Sequence, residues 1–121
     1  MRKILIATIS EAANTDLAKA LSRYEVHTCS TGPAALAMLE TLRPDILILD
    51  LMLPTMNGLT VLQKSKFRPP IILARTNYIS ETVLHVAADL GVQSVLLIPC
   101  TTRYIVDQLD ALTGKVPSPE T

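Results

Sequence analysis

The residues able to do chemistry are few and mostly scattered. Cys29 and Cys100 are too few for a disulfide scaffold and lack the close pairing of a metal site. They read as buried, reduced thiols. His27 and His85 stand alone, and both read as surface or boundary residues. Thr8 and Ser10 have no base placed to turn a hydroxyl into a nucleophile, so they read as loop hydrogen-bonders. Asp50 is different. It ends the run Asp45 to Asp50 (DILILD), four apolar residues bounded by two acids. A carboxylate there either caps a loop or faces a ligand. One strong cation, Arg75, follows a second apolar run in the same way.

The elements that must position these residues alternate along the chain. Lys3 to Ala7, Tyr24 to Cys29, Asp45 to Asp50, Ile71 to Ala74 and Ser94 to Ile98 read as strands. Continuous apolar runs fit strands covered on both faces, whereas Val26 and Cys29 lie among polar neighbours, as near a sheet edge. Helical spacing appears in Glu11 to Ser22, from Gly32-Pro33 to Leu42, in Leu59 to Lys66, in Ser80 to Leu90 and in Thr101 to Leu112. Ala12, Leu17, Ala18 and Leu21 supply the first apolar face; Ala35, Leu36, Met38, Leu39 and Leu42 supply the second. Pro33 is tolerated in a first turn, Arg43-Pro44 ends a helix, and Gly91 is a stop residue. Strands alternating with crossover helices predict an α/β, doubly wound parallel sheet.

In such a sheet the ligand crevice lies beyond the carboxyl ends of the strands. That rule selects Thr8, Ile9 and Ser10, then Asp50, then Ala74, Arg75 and Thr76, then Ile98 and Pro99. Only one carboxylate and one strong cation survive it.

Composition narrows the function classes. With 49% hydrophobic and 18% charged residues, a disordered chain is excluded. Eleven basic residues balance eleven acidic ones, which argues against an unselective nucleic-acid binder. Only Phe67, Tyr24, Tyr78 and Tyr104 are aromatic, so Ile, Leu, Val and Ala must build the core. No apolar stretch reaches the roughly 18–20 residues of a membrane span, and no signal-peptide core follows the first residues. Residues 1–113 read as one domain and 114–121 (GKVPSPET) as a tail or linker stub. A cytoplasmic location is expected.

The segment Arg43 to Leu62 (RPDILILDLMLPTMNGLTVL) closely resembles the phosphoacceptor region of response-regulator receiver domains. A Pro-Asp pair precedes the third strand, an Asp ends it, a Leu-Pro follows, and Asn57-Gly58 opens the next helix. Tyr24-Glu25-Val26, Gly32 to Leu36, Gly91 and Pro99 also fit, so the resemblance runs from Lys3 to about Leu112. It implies a flavodoxin-like fold with five helices and strand order 2-1-3-4-5. It makes Asp50 the position that would take a phosphoryl group from a histidine kinase.

The chain departs from that pattern at every other site position. Thr8, Ile9 and Ser10 stand where the family carries an acidic pair that holds magnesium. Arg75 stands where it has Ser or Thr, with Thr76 one step away. Ile98 replaces its Lys, and Val95 its aromatic switch residue. Asp50 and a backbone carbonyl near Met52 would be the only protein ligands for a metal. Magnesium needs octahedral oxygen ligation, so the expectation is no metal and no cofactor. Arg75 is then the partner a half-buried Asp50 needs, because adjacent strands lie about 4.8 Å apart.

The expected function is that of an atypical receiver, a non-enzymatic protein-interaction module that works without magnesium-dependent phosphorylation. The alternative is a working receiver phosphorylated on Asp50 with magnesium. A flavin- or small-ligand domain is a third class; the loop Thr8 to Thr15 has hydroxyls for phosphate but no glycine for close backbone approach. Expected partners are a histidine kinase, an output domain or a downstream regulator, with a homodimer open and neither nucleic acid nor membrane bound by this domain. By resemblance the face carrying His85, Asp89, Arg103, Asp107 and Asp110 would receive them.

Overall fold

Branched apolar side chains form the inner strands because neither side of a strand in a doubly covered parallel sheet meets water. The computed structural model describes residues 2–114. β1 (Lys3–Ala7), β2 (Glu25–Cys29), β3 (Ile46–Asp50), β4 (Ile71–Thr76) and β5 (Ser94–Leu97) form one parallel sheet in the order β2-β1-β3-β4-β5. All five residues of β3, the central strand, are buried, whereas every residue of edge strand β2 is half-buried or exposed.

Five helices cover the sheet: α1 (Glu11–Ala20), α2 (Gly32–Leu42), α3 (Gly58–Lys64), α4 (Glu81–Asp89) and α5 (Thr102–Thr113). Alternation along the strands sorts the core into two layers. Leu5, Leu47, Leu49 and Ile72 pack with Leu39 of α2, Leu62 of α3 and Ala87 of α4. Ile4, Ile6, Ile46 and Ile48 pack with Leu17 of α1 and with Ile105 and Leu109 of α5. Among the described residues no helix is long and apolar enough to cross a membrane.

The helix starts have local causes. Ser10, Thr31, Asn57, Ser80 and Thr101 each accept a hydrogen bond from the backbone N–H three residues on. Each such cap contributes about 1 kcal/mol. Arg43 closes α2 in the left-handed region (φ 47°), and Gly114 closes α5 in the same way (φ 76°). Gly114 therefore belongs to the helix end rather than to a tail; 115–121 lie outside the described residues.

The boundaries differ from the sequence expectation at a few ends. α1 stops at Ala20, two residues early, where Leu21 turns into the core; α3 stops at Lys64 because Ser65 leaves helical geometry. β4 runs on to Thr76, so Arg75 and Thr76 lie within the strand rather than after it. The cause is pairing: Asp50 lies opposite Arg75, and the Leu51 N–H donates to the Arg75 carbonyl at 2.8 Å. On α1, Ala12 is exposed and Asn14 is buried in its stead.

Two glycines mark where backbone meets backbone around the β3–α3 loop. A Cβ on Gly32 would lie 1.9 Å from the Met56 carbonyl oxygen, and one on Gly58 would lie 2.5 Å from that of Asp50. The start of α2 thus presses directly on the loop that follows Asp50.

Candidate functional site

The site forms where β1, β3 and β4 end together. Asp50 is 3% exposed and Arg75 7%. The parallel register puts them side by side, and Arg75 Nη1 approaches Asp50 Oδ1 to 3.4 Å. This is an ion pair without an aligned hydrogen bond: Asp50 Oδ1, Arg75 Nε and Arg75 Nη1 are buried and have no hydrogen-bond partner. Asp50 Oδ2 accepts from the Ile9 backbone N–H at 3.1 Å.

The β1–α1 loop is held by its own bonds. Thr8 is fully buried, and its hydroxyl donates to the Ser10 carbonyl at 2.9 Å. Ser10 is exposed and caps α1 by accepting from the Ala13 N–H at 3.1 Å. Ile9 contributes its N–H to Asp50 while its side chain is 56% exposed. Met52 is 48% exposed. Thr76 is buried, and its hydroxyl accepts from the Tyr78 N–H at 3.3 Å. Ile98 is half-buried, its N–H donates to the Thr76 carbonyl at 2.8 Å, and a cis peptide bond joins it to the exposed Pro99. The structure thus brings Asp50, Arg75 and the Ile9 N–H together. Ser10 and Thr76 spend their hydroxyls on the backbone instead.

Nothing in the sequence marks Asn14, which follows two alanines and precedes Thr15 and Asp16. It is 8% exposed, and its amide donates to the Thr8 and Cys29 carbonyls, both at 3.2 Å. It ties the ends of β1 and β2 together behind the site.

Other expectations need correction. Cys29 and Cys100 are free thiols but only half-buried, Cys29 at the end of β2 and Cys100 in the loop before α5. Burial still pushes the Cys29 thiol up to about 11, so it stays protonated near neutral pH. Tyr78 and Tyr104 are exposed, at 66% and 47%. The histidines stand as expected, His27 half-buried on β2 with Nε2 2.8 Å from Glu25 and His85 exposed. Of the charged residues expected on one face, Asp110 is committed elsewhere: it pairs with Arg23, beyond the end of α1, at 2.5 Å.

Burial raises the Asp50 carboxyl above the usual carboxylate range, more than Arg75 and the Ile9 N–H lower it. The folded protein therefore holds this proton more tightly than the unfolded chain does. The resulting drag on stability is full above the raised value and is relieved as pH falls through it toward the ordinary one. Carboxyl-carbon NMR should place the Asp50 midpoint above that of a peptide aspartate. A midpoint at or below the peptide value would mean that the countercharge outweighs burial.

Among the described residues no group of three or more His, Cys, Asp or Glu is arranged to hold a metal. The donors at the site are one carboxylate with a guanidinium against it.

Residues 5–110 match the response regulator receiver domain family. The chain is 32% identical over 116 residues to PhoP, the alkaline phosphatase synthesis transcriptional regulatory protein of Bacillus subtilis; that alignment covers 92% of this chain and 48% of PhoP. Over 55 residues it is 47% identical to the response regulator PleD of Caulobacter vibrioides, covering 41% of this chain and 12% of PleD. The chain thus spans half or less of the length of these relatives. A CheY-like receiver structure from Methanospirillum hungatei superposes with a TM-score of 0.82 at 22% identity, covering 95% of each chain. With the strand order and the matched residues in agreement, the chain belongs to the response regulator receiver domain family of two-component signalling.

Proposed function

We propose that this receiver signals through protein contacts without magnesium-dependent phosphorylation of Asp50. The observation that carries this reading is Arg75, buried with Nη1 3.4 Å from Asp50 Oδ1. Phosphoryl transfer to a carboxylate requires positive charge against the phosphoryl oxygens, supplied in this family by a bound divalent cation. The donors here do not fit such an ion. Magnesium is held by carboxylates and waters in octahedral array, whereas Thr8 and Ile9 offer no anion and Arg75 adds repulsion. A unit charge pair at 4 Å is worth about 4 kcal/mol at an effective dielectric near 20. Two missing anions therefore weaken binding on the order of a thousandfold or more.

The partners under this reading are a histidine kinase, an output domain or a downstream regulator, in the cytoplasm. The domain itself is not an enzyme. Of the face proposed to receive partners, His85, Asp89, Arg103 and Asp107 are exposed. A homodimer through that face is part of the same proposal.

One observation favours the alternative of a working receiver: Asp50 Oδ1 has no hydrogen-bond partner. Incubation with acetyl phosphate and magnesium distinguishes the two. Intact-mass measurement is expected to show the unmodified chain, and beryllofluoride with magnesium is expected to leave the NMR spectrum unchanged. Stoichiometric gain of one phosphoryl group, lost in Asp50→Asn, would establish the alternative.

A further inference from the structure

We infer that the corner formed by the ends of α2 and α3 is a docking surface for an acidic segment of a protein partner. Arg43, Lys64, Lys66 and Arg68 are all exposed there. Among the described residues none of the four lies within ion-pairing distance of an acid. Arg23, Arg75 and Arg103 do, to Asp110, Asp50 and Asp107 respectively. In a chain of zero net charge, four unpaired cations in one place form a local positive field.

Helix-end carbonyls explain part of this cluster. Lys64 sits in the last turn of α3, and Arg68 Nε donates to the Leu62 carbonyl at 3.1 Å. They do not explain Arg43 or Lys66. The Arg43 guanidinium lies over the Phe67 ring, 5.0 Å from its centroid. Of the acids beside it, Glu40 spends a carboxylate oxygen on the Lys66 backbone N–H at 3.2 Å, and Asp45 one on the Lys3 N–H at 2.9 Å.

The loop beneath is stiff. Ser65 is 7% exposed, and its hydroxyl donates to the Phe67 carbonyl at 2.5 Å and accepts from the Phe67 N–H at 3.2 Å. Pro69 and Pro70 follow directly. The two guanidiniums are thereby anchored, Arg43 by stacking and Arg68 through Nε, and the outer nitrogens of Arg68 remain free to form a fork. An anchored guanidinium loses little freedom when it meets a carboxylate, and its fork matches a carboxylate in two-point contact. Four cations spread over two helix ends and one short loop suit a run of Asp or Glu side chains. A nucleic-acid backbone would need a longer basic track than this chain, with its balanced charge, provides. This surface lies at the amino ends of the strands, opposite Asp50, so it stands whether or not Asp50 is ever phosphorylated.

The test is an NMR titration of the 15N-labelled chain with a hexaglutamate peptide at low salt. Saturable shifts are expected at residues 40–43 and 62–68 and little elsewhere. Lys64→Glu with Lys66→Glu should weaken them by about tenfold or more, and Lys64→Gln with Lys66→Gln by less. Raising the salt should act in the same direction. Shifts that are absent, dispersed over the whole surface, or equal in the charge-reversed variant would overturn the inference. So would tighter binding of a single-stranded oligonucleotide at the same corner, which would assign the surface to nucleic acid. The spectra of both variants away from the corner report whether the fold is retained.

Discussion

Arg75→Met is expected to destabilise the domain by about 3 kcal/mol, toward the lower end of what breaking a buried ion pair costs. The loss is not the strength of the contact, since the 3.4 Å approach lacks hydrogen-bond alignment. It is the cost of a carboxylate left without a countercharge in a place that already disfavours its charge. The variant should therefore also raise the Asp50 midpoint further and make stability fall more steeply as pH rises toward neutral. Replacing both residues, Asp50→Leu with Arg75→Met, should recover the loss and can exceed the parent by about 1–4 kcal/mol, because desolvation of the pair is relieved. Urea unfolding of the three proteins at neutral pH checks both statements. A change within about 0.5 kcal/mol for Arg75→Met, the range of an ordinary surface substitution, would mean that the pair is not holding the site.

Gly32→Ala is the second large effect. The new methyl would lie 1.9 Å from the Met56 carbonyl oxygen and 2.6 Å from the Met56 Cβ, so α2 and the β3–α3 loop must separate. Gly32 N–H also donates to the Pro54 carbonyl at 3.2 Å, a bond that separation would stretch. The expected loss is about 3 kcal/mol, the upper end for overpacking. It should come with NMR shifts through residues 51–58, the segment that carries the chain away from Asp50. Gly91→Ala is the control. Its left-handed φ of 94° costs about 1 kcal/mol, but the nearest atom to a Cβ there is 3.9 Å away, so no neighbour moves. Equal losses in the two variants would refute the steric account.

The strands and the site aspartate were legible because their signals are local. Ile46 to Leu49, four apolar residues between two acids, reads as a short covered strand, and a parallel sheet presents its crevice at the strand's carboxyl end. The five helix starts carry Ser, Thr or Asn at the cap, a chemistry that acts over three residues. Expectation and structure part where the cause lies far away in the chain. Ala12 and Asn14 are two residues apart on α1, and helical spacing favoured the alanine for burial. The strand-end carbonyls of Thr8 and Cys29 draw in the asparagine instead. Asp110 looked like a surface acid until Arg23, far upstream in sequence, proved to be its partner.

The sequence by itself determined the alternating architecture, the central strand ending in Asp50, and the absence of any acid from the β1–α1 loop Thr8 to Ser10. These follow from residue type and short-range spacing. The sequence also offered Arg75 as the partner of Asp50; only the tertiary structure decided that it lies inside β4, opposite Asp50 and turned toward it, rather than in the solvent above the sheet. Register between strands distant in sequence settles that, and it is a property of the whole packed sheet. The same holds for Asp50's charge, which burial penalises more than its neighbours support.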